Sequence, residues 1–326
     1  MDTGNMETDQ LESSQSLIEP TSQFDSRSIN LTITTSALDA PTAPSPVSRS
    51  VAVEIDDRYD TSHPNRGLAI IINQVKFNGM AEREGSDKDR DSISSVLSEI
   101  GFDVREIEDL KKRKLLAMLK SIASEDHSKN DCLVVVVMTH GKKNNRLYAR
   151  DKCYKADKLW EPFIGDACPS LLGKPKLFFI QACRGKKLDT GSRIKRMVAE
   201  VLPLPVAEPV PINYVIPTMA DLLVMYSTCD GYYAWRNTDN GSWFIQSLSM
   251  ELVVKAHRQE LLHILTGVSR RVAYQYQSNV PGNRALDAMK QMPCIKSMLT
   301  KLLYFPSQNC KPDRSPMAVA ECPATS

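Results

Sequence analysis

Four short runs of consecutive apolar residues constrain this chain most: residues 67–73 (Gly-Leu-Ala-Ile-Ile-Ile-Asn), 133–138 (Leu-Val-Val-Val-Val-Met), 176–181 (Lys-Leu-Phe-Phe-Ile-Gln) and 222–228 (Leu-Leu-Val-Met-Tyr-Ser-Thr). Without the polar alternation of a half-exposed strand, each reads as a strand buried on both faces. Between them lie amphipathic segments. Residues 89–100 carry Ile93, Val96, Leu97 and Ile100 at helical spacing, and residues 110–124 carry Leu115, Leu116, Met118, Leu119 and Ile122. Gly101 stops the first of these helices, and residues 102–107 form a further strand. Helices are expected over about residues 242–255 and 259–277, and the apolar stretch 293–305 suits a final strand. Strands and helices in alternation specify an α/β fold with a largely parallel sheet covered on both faces.

Composition narrows the function classes. The chain has 326 residues, 42% apolar and 25% charged, with a mean hydropathy of −0.30. That is enough to bury a core, and it excludes a wholly disordered, collagen-like or transmembrane chain. The apolar run 133–138 has six residues, where a membrane span needs roughly 20. The start, Met1-Asp2-Thr3-Gly4, has neither the basic nor the apolar region of a signal peptide, so a soluble cytoplasmic protein with no membrane association is expected. Eight cysteines, at 132, 153, 168, 183, 229, 294, 310 and 322, form no C-x-x-C pair, so neither a zinc site nor a disulfide framework is indicated, and no metal or cofactor is expected. Residues 1–60 hold 11 acidic against three basic residues, a balance of −8, which leaves +10 on the remainder of a chain of net charge +2. Without a Lys/Arg block this does not indicate nucleic-acid binding, and it suits acidic peptide substrates. The first 50 residues include 17 Ser and Thr and a proline-rich stretch, and read as a disordered extension.

On parallel sheets, reactive groups gather where strands end at their carboxyl edge. Residues 133–138 run into Thr139-His140-Gly141, and residues 176–180 into Gln181-Ala182-Cys183-Arg184-Gly185. A thiolate is a strong nucleophile, and a histidine can take its proton and later give one to a leaving amine, so Cys183 and His140 suit acyl transfer. Gly141 lets the backbone approach the reacting carbonyl, and its N–H with that of Cys183 can form an oxyanion hole. The other histidines, His63, His127, His257 and His263, have no such setting.

The Gln-Ala-Cys-Arg-Gly run matches the caspase signature Q-A-C-[RQG]-G, with its histidine 43 residues upstream. The chain resembles a caspase, of executioner type, over about residues 54–305. The resemblance runs through Arg66-Gly67-Leu68-Ala69-Ile70-Ile71-Ile72-Asn73, Arg83-Glu84-Gly85-Ser86-Asp87-Lys88-Asp89, the His-Gly pair, residues 173–185, Gly231-Tyr232-Tyr233-Ala234-Trp235-Arg236-Asn237 and residues 241–248. It implies a caspase-like fold with a mostly parallel six-stranded sheet flanked by helices on both faces. It also implies a cysteine endopeptidase that cuts after aspartate, executes apoptosis and is made as a zymogen activated by proteolysis. The family's aspartate pocket maps onto Arg83, Gln181 and Arg236. Two guanidinium forks bind one carboxylate well and leave a neutral side chain facing unpaired charge. Trp235, Trp243 and Tyr233 map to the family's substrate-binding positions, the two tryptophans to its next subsites, and Asn237 to the residue favouring an acidic side chain three positions before the aspartate. Thr139 and Ala234 replace the family's usual serines, and residues 280–290, the expected rim loop, lack aromatics.

The resemblance divides the chain into a prodomain (1–53), a large-subunit region (54–189), a linker (190–216) and a small-subunit region (217–326) with a flexible tail from about 306. The extension of about 50 residues has no apolar periodicity for an adaptor domain, so none is expected there, which disfavours an initiator and implies activation by an upstream initiator caspase. Candidate cleavage positions are Asp39 and Asp25 in the prodomain. In the linker they are Asp189, its only aspartate between residues 186 and 220, or the acidic substitutes Glu200 and Glu208. The family further implies protein substrates bearing aspartate at the cut, inhibitor-of-apoptosis proteins as partners, and a homodimer of large and small subunits joined through the last strand. The alternative reading is a non-catalytic homologue that regulates or scaffolds an active caspase.

Overall fold

The computed structural model describes residues 56–191, 217–280 and 282–307. Asp25, Asp39, Glu200 and Glu208, and the tail beyond residue 307, lie outside the described residues.

Six strands make the central sheet: β1 (Asn65–Asn73), β2 (Asp103–Glu108), β3 (Asn130–Met138), β4 (Lys176–Gln181), β5 (Leu222–Tyr226) and β6 (Cys294–Ser297). Their order is β6-β5-β4-β3-β1-β2. Every neighbouring pair is parallel except β5 and β6, which run antiparallel with Cys294 opposite Tyr226. The continuous apolar runs are explained by cover on both sides. Along β1, Ala69 and Ile71 face one layer, while Leu68, Ile70 and Ile72 face the other.

Four helices give that cover: α1 (Ser86–Ile100), α2 (Lys112–Ala123), α3 (Trp243–Lys255) and α4 (Leu261–Gln275). α1, α3 and α4 share one core with Val134, Val136, Phe179 and Met225; α2 and a series of short 3₁₀ turns between residues 156 and 171 share the other with Val135, Val137, Phe178 and Ile180. α1 begins three residues before its apolar pattern does, because its first turn buries polar side chains, Ser86 and Asp89. α3 is buried along its first half, while Met250, Val253 and Val254 are exposed, and its buried Glu251 pairs with Lys255 and, at 2.8 Å, with Arg271 of α4.

The final strand is shorter than the apolar stretch 293–305 suggests. Leu303 and Phe305 leave the sheet and enter the helical core, where Leu303 accepts a 2.9 Å hydrogen bond from the Leu261 N–H at the start of α4. These apolar residues pack against a helix layer and carry no strand partner. β5 likewise ends at Tyr226, beyond which the buried Ser227 hydroxyl bonds the Ala182 carbonyl at 3.2 Å. Among the described residues no helix is long and apolar enough to cross a membrane.

The parallel strands β1, β3, β4 and β5 end on one edge, at Asn73, Met138, Gln181 and Tyr226. The chain leaves β1 for β2 on one side and returns to β3 on the other, so a crevice opens at that edge.

Candidate active site

β4 is buried throughout and delivers the half-buried Cys183 two residues past its end. The thiol sits 3.8 Å from the Ala234 carbonyl. Beyond β3, the Thr139 N–H donates to the Gln181 carbonyl at 3.0 Å, carrying the sheet ladder one step further, and the Thr139 hydroxyl donates to the Tyr148 carbonyl at 2.6 Å. His140 follows at once. Its Nε2 lies 2.8 Å from the Ala81 carbonyl, which can only accept, so Nε2 carries the proton and Nδ1 keeps the lone pair. Its ring packs against Phe77 with centroids 4.6 Å apart.

Gly141 has no room for a side chain: a Cβ there would lie 2.1 Å from the Cys183 carbonyl oxygen and 3.1 Å from the Ala182 Cβ. The backbones of residues 139–141 and 181–183 therefore run against each other. Burial pushes the Cys183 thiol up, while Arg83 and Arg236 draw it back. Burial lowers His140, and the same two cations lower it further, against the hydrogen bond to Ala81.

Arg83, in the loop between β1 and α1, is 2% exposed, and its Nη1 donates to the Asn73 Oδ1 at 3.2 Å and the Gln74 carbonyl at 3.1 Å. Burial, then the neighbouring Arg236, brings its guanidinium down to about 10. Arg236 stands in the two-residue strand Arg236–Asn237, paired with Gly241–Ser242. The Nη1 of Arg236 and the Oε1 of Gln181 are buried without hydrogen-bond partners. Asp89 feels the charge of both arginines; burial raises its carboxyl to about 6, against the Ser242 N–H that donates to it at 2.7 Å.

Beside this pocket runs an aromatic row. Tyr233 meets Trp235 edge-on at 5.2 Å, Trp235 stacks on Trp243 at 5.6 Å, and Trp243 stacks on Tyr276 at 5.4 Å. Gln291 fixes the row to the sheet edge: its Oε1 accepts from the Trp235 N–H at 2.6 Å, and its Nε2 donates to the Ser227 carbonyl at 2.8 Å. Asn237 lies exposed at the outer end, where its Oδ1 accepts from the N–H groups of Asp239 and Asn240 at 2.7 and 3.0 Å and so caps its own turn. Asp189 is half-buried, with its carbonyl accepting from the Lys290 N–H at 2.7 Å and its side chain from the Gly191 N–H at 2.9 Å.

Cys183, His140, Gly141, Arg83, Gln181 and Arg236 thus meet at one sheet edge, with Tyr233, Trp235 and Trp243 alongside. Sequence reasoning missed several supporting residues. The Ala81 and Ala234 contacts are backbone carbonyls and leave no mark in the side chains. Asn73, a polar residue closing an apolar strand, and Asp89, an acid in an arginine-containing motif, do carry a visible signal. Gln291 and Tyr276 come from the far end of the chain.

The caspase domain family matches residues 66–304. Caspase-1 of Spodoptera frugiperda is 43% identical over 249 residues, covering 76% of this chain and 81% of that protein. Caspase drICE of Drosophila melanogaster is 39% identical over 270 residues, 81% of this chain and 78% of its own. Caspase-3 of Bos taurus is 41% identical over 256 residues, 78% of this chain and 89% of its own. The crystal structure of the Spodoptera frugiperda caspase-1 superposes with a TM-score of 0.70 at 42% identity, covering 81% of this chain and 99% of that one. A shared six-stranded fold, and likeness to these relatives across the whole catalytic region, place the chain in the caspase family, as a cysteine-type peptidase.

Proposed function

We propose that this protein is an active, aspartate-directed endopeptidase of executioner type that acts in the cytoplasm in apoptosis. The observation that carries the reading is the pair of guanidinium groups beside Cys183. Arg83 is buried, Arg236 has a buried Nη1 without a partner, and the unpartnered Gln181 Oε1 lies at the same edge. Buried unpaired cations are costly, and a substrate carboxylate bound in bidentate fashion satisfies them. Residues before the aspartate lie along Tyr233, Trp235 and Trp243. Asn237, with its Oδ1 engaged, offers the fourth position its amide hydrogens.

The resting pair is neutral, since burial raises the thiol and lowers the imidazole. His140 Nδ1 takes the Cys183 proton as sulfur attacks the carbonyl carbon, and the N–H groups of Gly141 and Cys183 hold the resulting oxyanion. The imidazolium then protonates the leaving amine as the C–N bond breaks. Water attacks the thioester, giving its proton to His140; as the C–S bond breaks the imidazolium returns that proton to the Cys183 sulfur, and the carboxylic acid product leaves.

Activation follows cleavage of the prodomain at Asp39 or Asp25 and of the linker between the large- and small-subunit regions by an upstream initiator caspase. Asp189 is anchored to Lys290, which favours Glu200 or Glu208 for the linker cut. Mass spectrometry of the processed small chain is expected to give an N-terminus at Val201 or Pro209; one at Thr190 returns the cut to Asp189, and one at any other position refutes the proposal. Dimerisation through β6, whose outer edge carries no strand among the described residues, completes the assembly, and inhibitor-of-apoptosis proteins act on the assembled enzyme.

The test is turnover of fluorogenic tetrapeptides ending in aspartate. Processed wild type cuts them, and Cys183→Ala does not. Arg236→Ala loses about 30-fold or more in kcat/KM, as expected when one partner of a buried charge pair is truncated. Processed wild type no faster than Cys183→Ala would leave the non-catalytic, regulatory reading.

A further inference from the structure

The antiparallel ribbon that follows His140 carries like charges in register. Lys142 stands opposite Arg146, and Arg146 opposite Lys155, so three cations form one exposed row across the ribbon, while Leu147 and Tyr154 point into the core. Like charges directly opposite in a sheet are destabilising, so the fold does not call for this row. Lys143 extends it at the turn, where Asn144 and Asn145 hold left-handed φ values of 62° and 52°.

The row borders a cleft of about 520 Å³, bounded by Gly141 and Gly185 and lined by Lys142, Lys143, Arg146 and Lys186. No lining residue is acidic, and among the described residues none of these four cations forms an ion pair. Arg146 turns to a thiol, Cys153, at 3.5 Å, and Lys142 to the face of Tyr148 at 5.5 Å. Electropositive potential at this cleft is therefore left unanswered by the protein.

The cleft begins at the reacting centre. Gly141 lies against the Cys183 carbonyl, and Gly185 is two residues past Cys183. It includes none of Arg83, Gln181, Arg236, Trp235 or Trp243. With the aspartate on the arginines and the preceding residues along the aromatic row, the part of a substrate left to reach a cleft that borders Cys183 is the part that follows the cut.

We propose that the cleft binds acidic side chains in the part of the substrate that follows the scissile bond. Given the reach of an extended chain, the acidic residues stand about two to four positions beyond the cut. The assignment rests on the endopeptidase reading above and adds a second determinant of substrate choice on the leaving side.

Three internally quenched peptides test it, identical through the aspartate and one small residue after it, then continuing as Glu-Glu-Glu, Ala-Ala-Ala or Lys-Lys-Lys. Processed wild type at low ionic strength is expected to cut the Glu peptide with a kcat/KM about tenfold above the Ala peptide, a preference that shrinks to about twofold near ~0.5 M salt. The double variant Lys142→Glu/Lys186→Glu is expected to reverse the order, favouring the Lys peptide. A wild-type ratio of one, or a ratio the double variant leaves unchanged, overturns the inference while turnover of all three peptides keeps the endopeptidase reading. Failure of processed wild type to cut any peptide removes that reading, and this inference with it.

Discussion

Replacing Gly141 with alanine tests the oxyanion hole directly. The added Cβ would lie 2.1 Å from the Cys183 carbonyl oxygen, where ordinary contact begins at 3.4 Å. Backbone must therefore separate by about 1.3 Å, and no flexible side-chain end is available to absorb it. An oxyanion donor works at about 2.7–3.1 Å, so even half of that displacement, about 0.7 Å, takes the Gly141 N–H to the limit of hydrogen bonding. Losing one such donor costs about 100- to 1,000-fold in kcat, or about 2.7–4 kcal/mol. In the proposed binding mode the aspartate side chain is held elsewhere, by Arg83, Gln181 and Arg236, so KM should stay within about threefold of wild type. The assay is steady-state turnover of an aspartyl tetrapeptide by processed Gly141→Ala enzyme, with circular dichroism and a melting curve to establish that the variant is folded. A folded variant with kcat within about threefold of wild type would refute the placement of the oxyanion at Gly141.

Three further predictions concern protons. Burial holds His140 below its ordinary 6.5, so the neutral base persists into acid and the acidic limb of kcat/KM should fall below pH 6.5; a limb centred above pH 7 refutes this. Cys183 is raised above its ordinary 9.0, so the rate of alkylation of the substrate-free enzyme by iodoacetamide should climb with pH to a midpoint above that value, and a midpoint near neutrality would show a preformed thiolate. The Asp89 carboxyl sits at about 6 when folded against 3.8 otherwise, so the folded state holds its proton more tightly, and its contribution to stability declines as pH rises from about 4 through about 6. Asp89→Asn removes that decline, and by urea unfolding it should gain about 2 kcal/mol relative to wild type between pH 4 and pH 7; a difference independent of pH refutes it.

The parts of the fold that were legible in the sequence are those where burial is two-sided. β1, β3 and β4 announce themselves because no residue in their apolar runs can face water, and Cys183 and His140 are found because they stand immediately past such strands. Where one residue serves two layers, the pattern misleads. Leu303 and Phe305 are as apolar as any strand residue, yet they pack into the core beside the sheet, Phe305 edge-on against Phe102, without a strand partner. The beginning of α1 is hidden because Asp89 is buried for its interactions with Ser242 and the two arginines, which no hydropathy pattern records. The orientation of His140 depends on the carbonyl of Ala81, a contact indifferent to the side chain at that position. Asn237 shows what residue-by-residue transfer leaves out: that its Oδ1 caps its own turn, leaving the amide hydrogens to face outward, is written in the backbone N–H groups of Asp239 and Asn240 and not in the motif.

The segment 192–216 joins β4 to β5, two strands that already lie side by side with Lys176 opposite Leu222 and Ile180 opposite Tyr226. A cut in that segment leaves the sheet ladder intact, but it changes the molecularity of folding. The nicked protein is a complex of two chains, held by the β4–β5 ladder and by the layers packed over it. Its unfolding releases fragments whose reunion depends on their concentration, where the uncut chain refolds at a rate independent of it. Proteolytic maturation at this position, as proposed above, would therefore set a clock as well as a switch. The lifetime of the mature form is governed by the rate at which the two pieces part, and a dilute solution will not recover what it has lost.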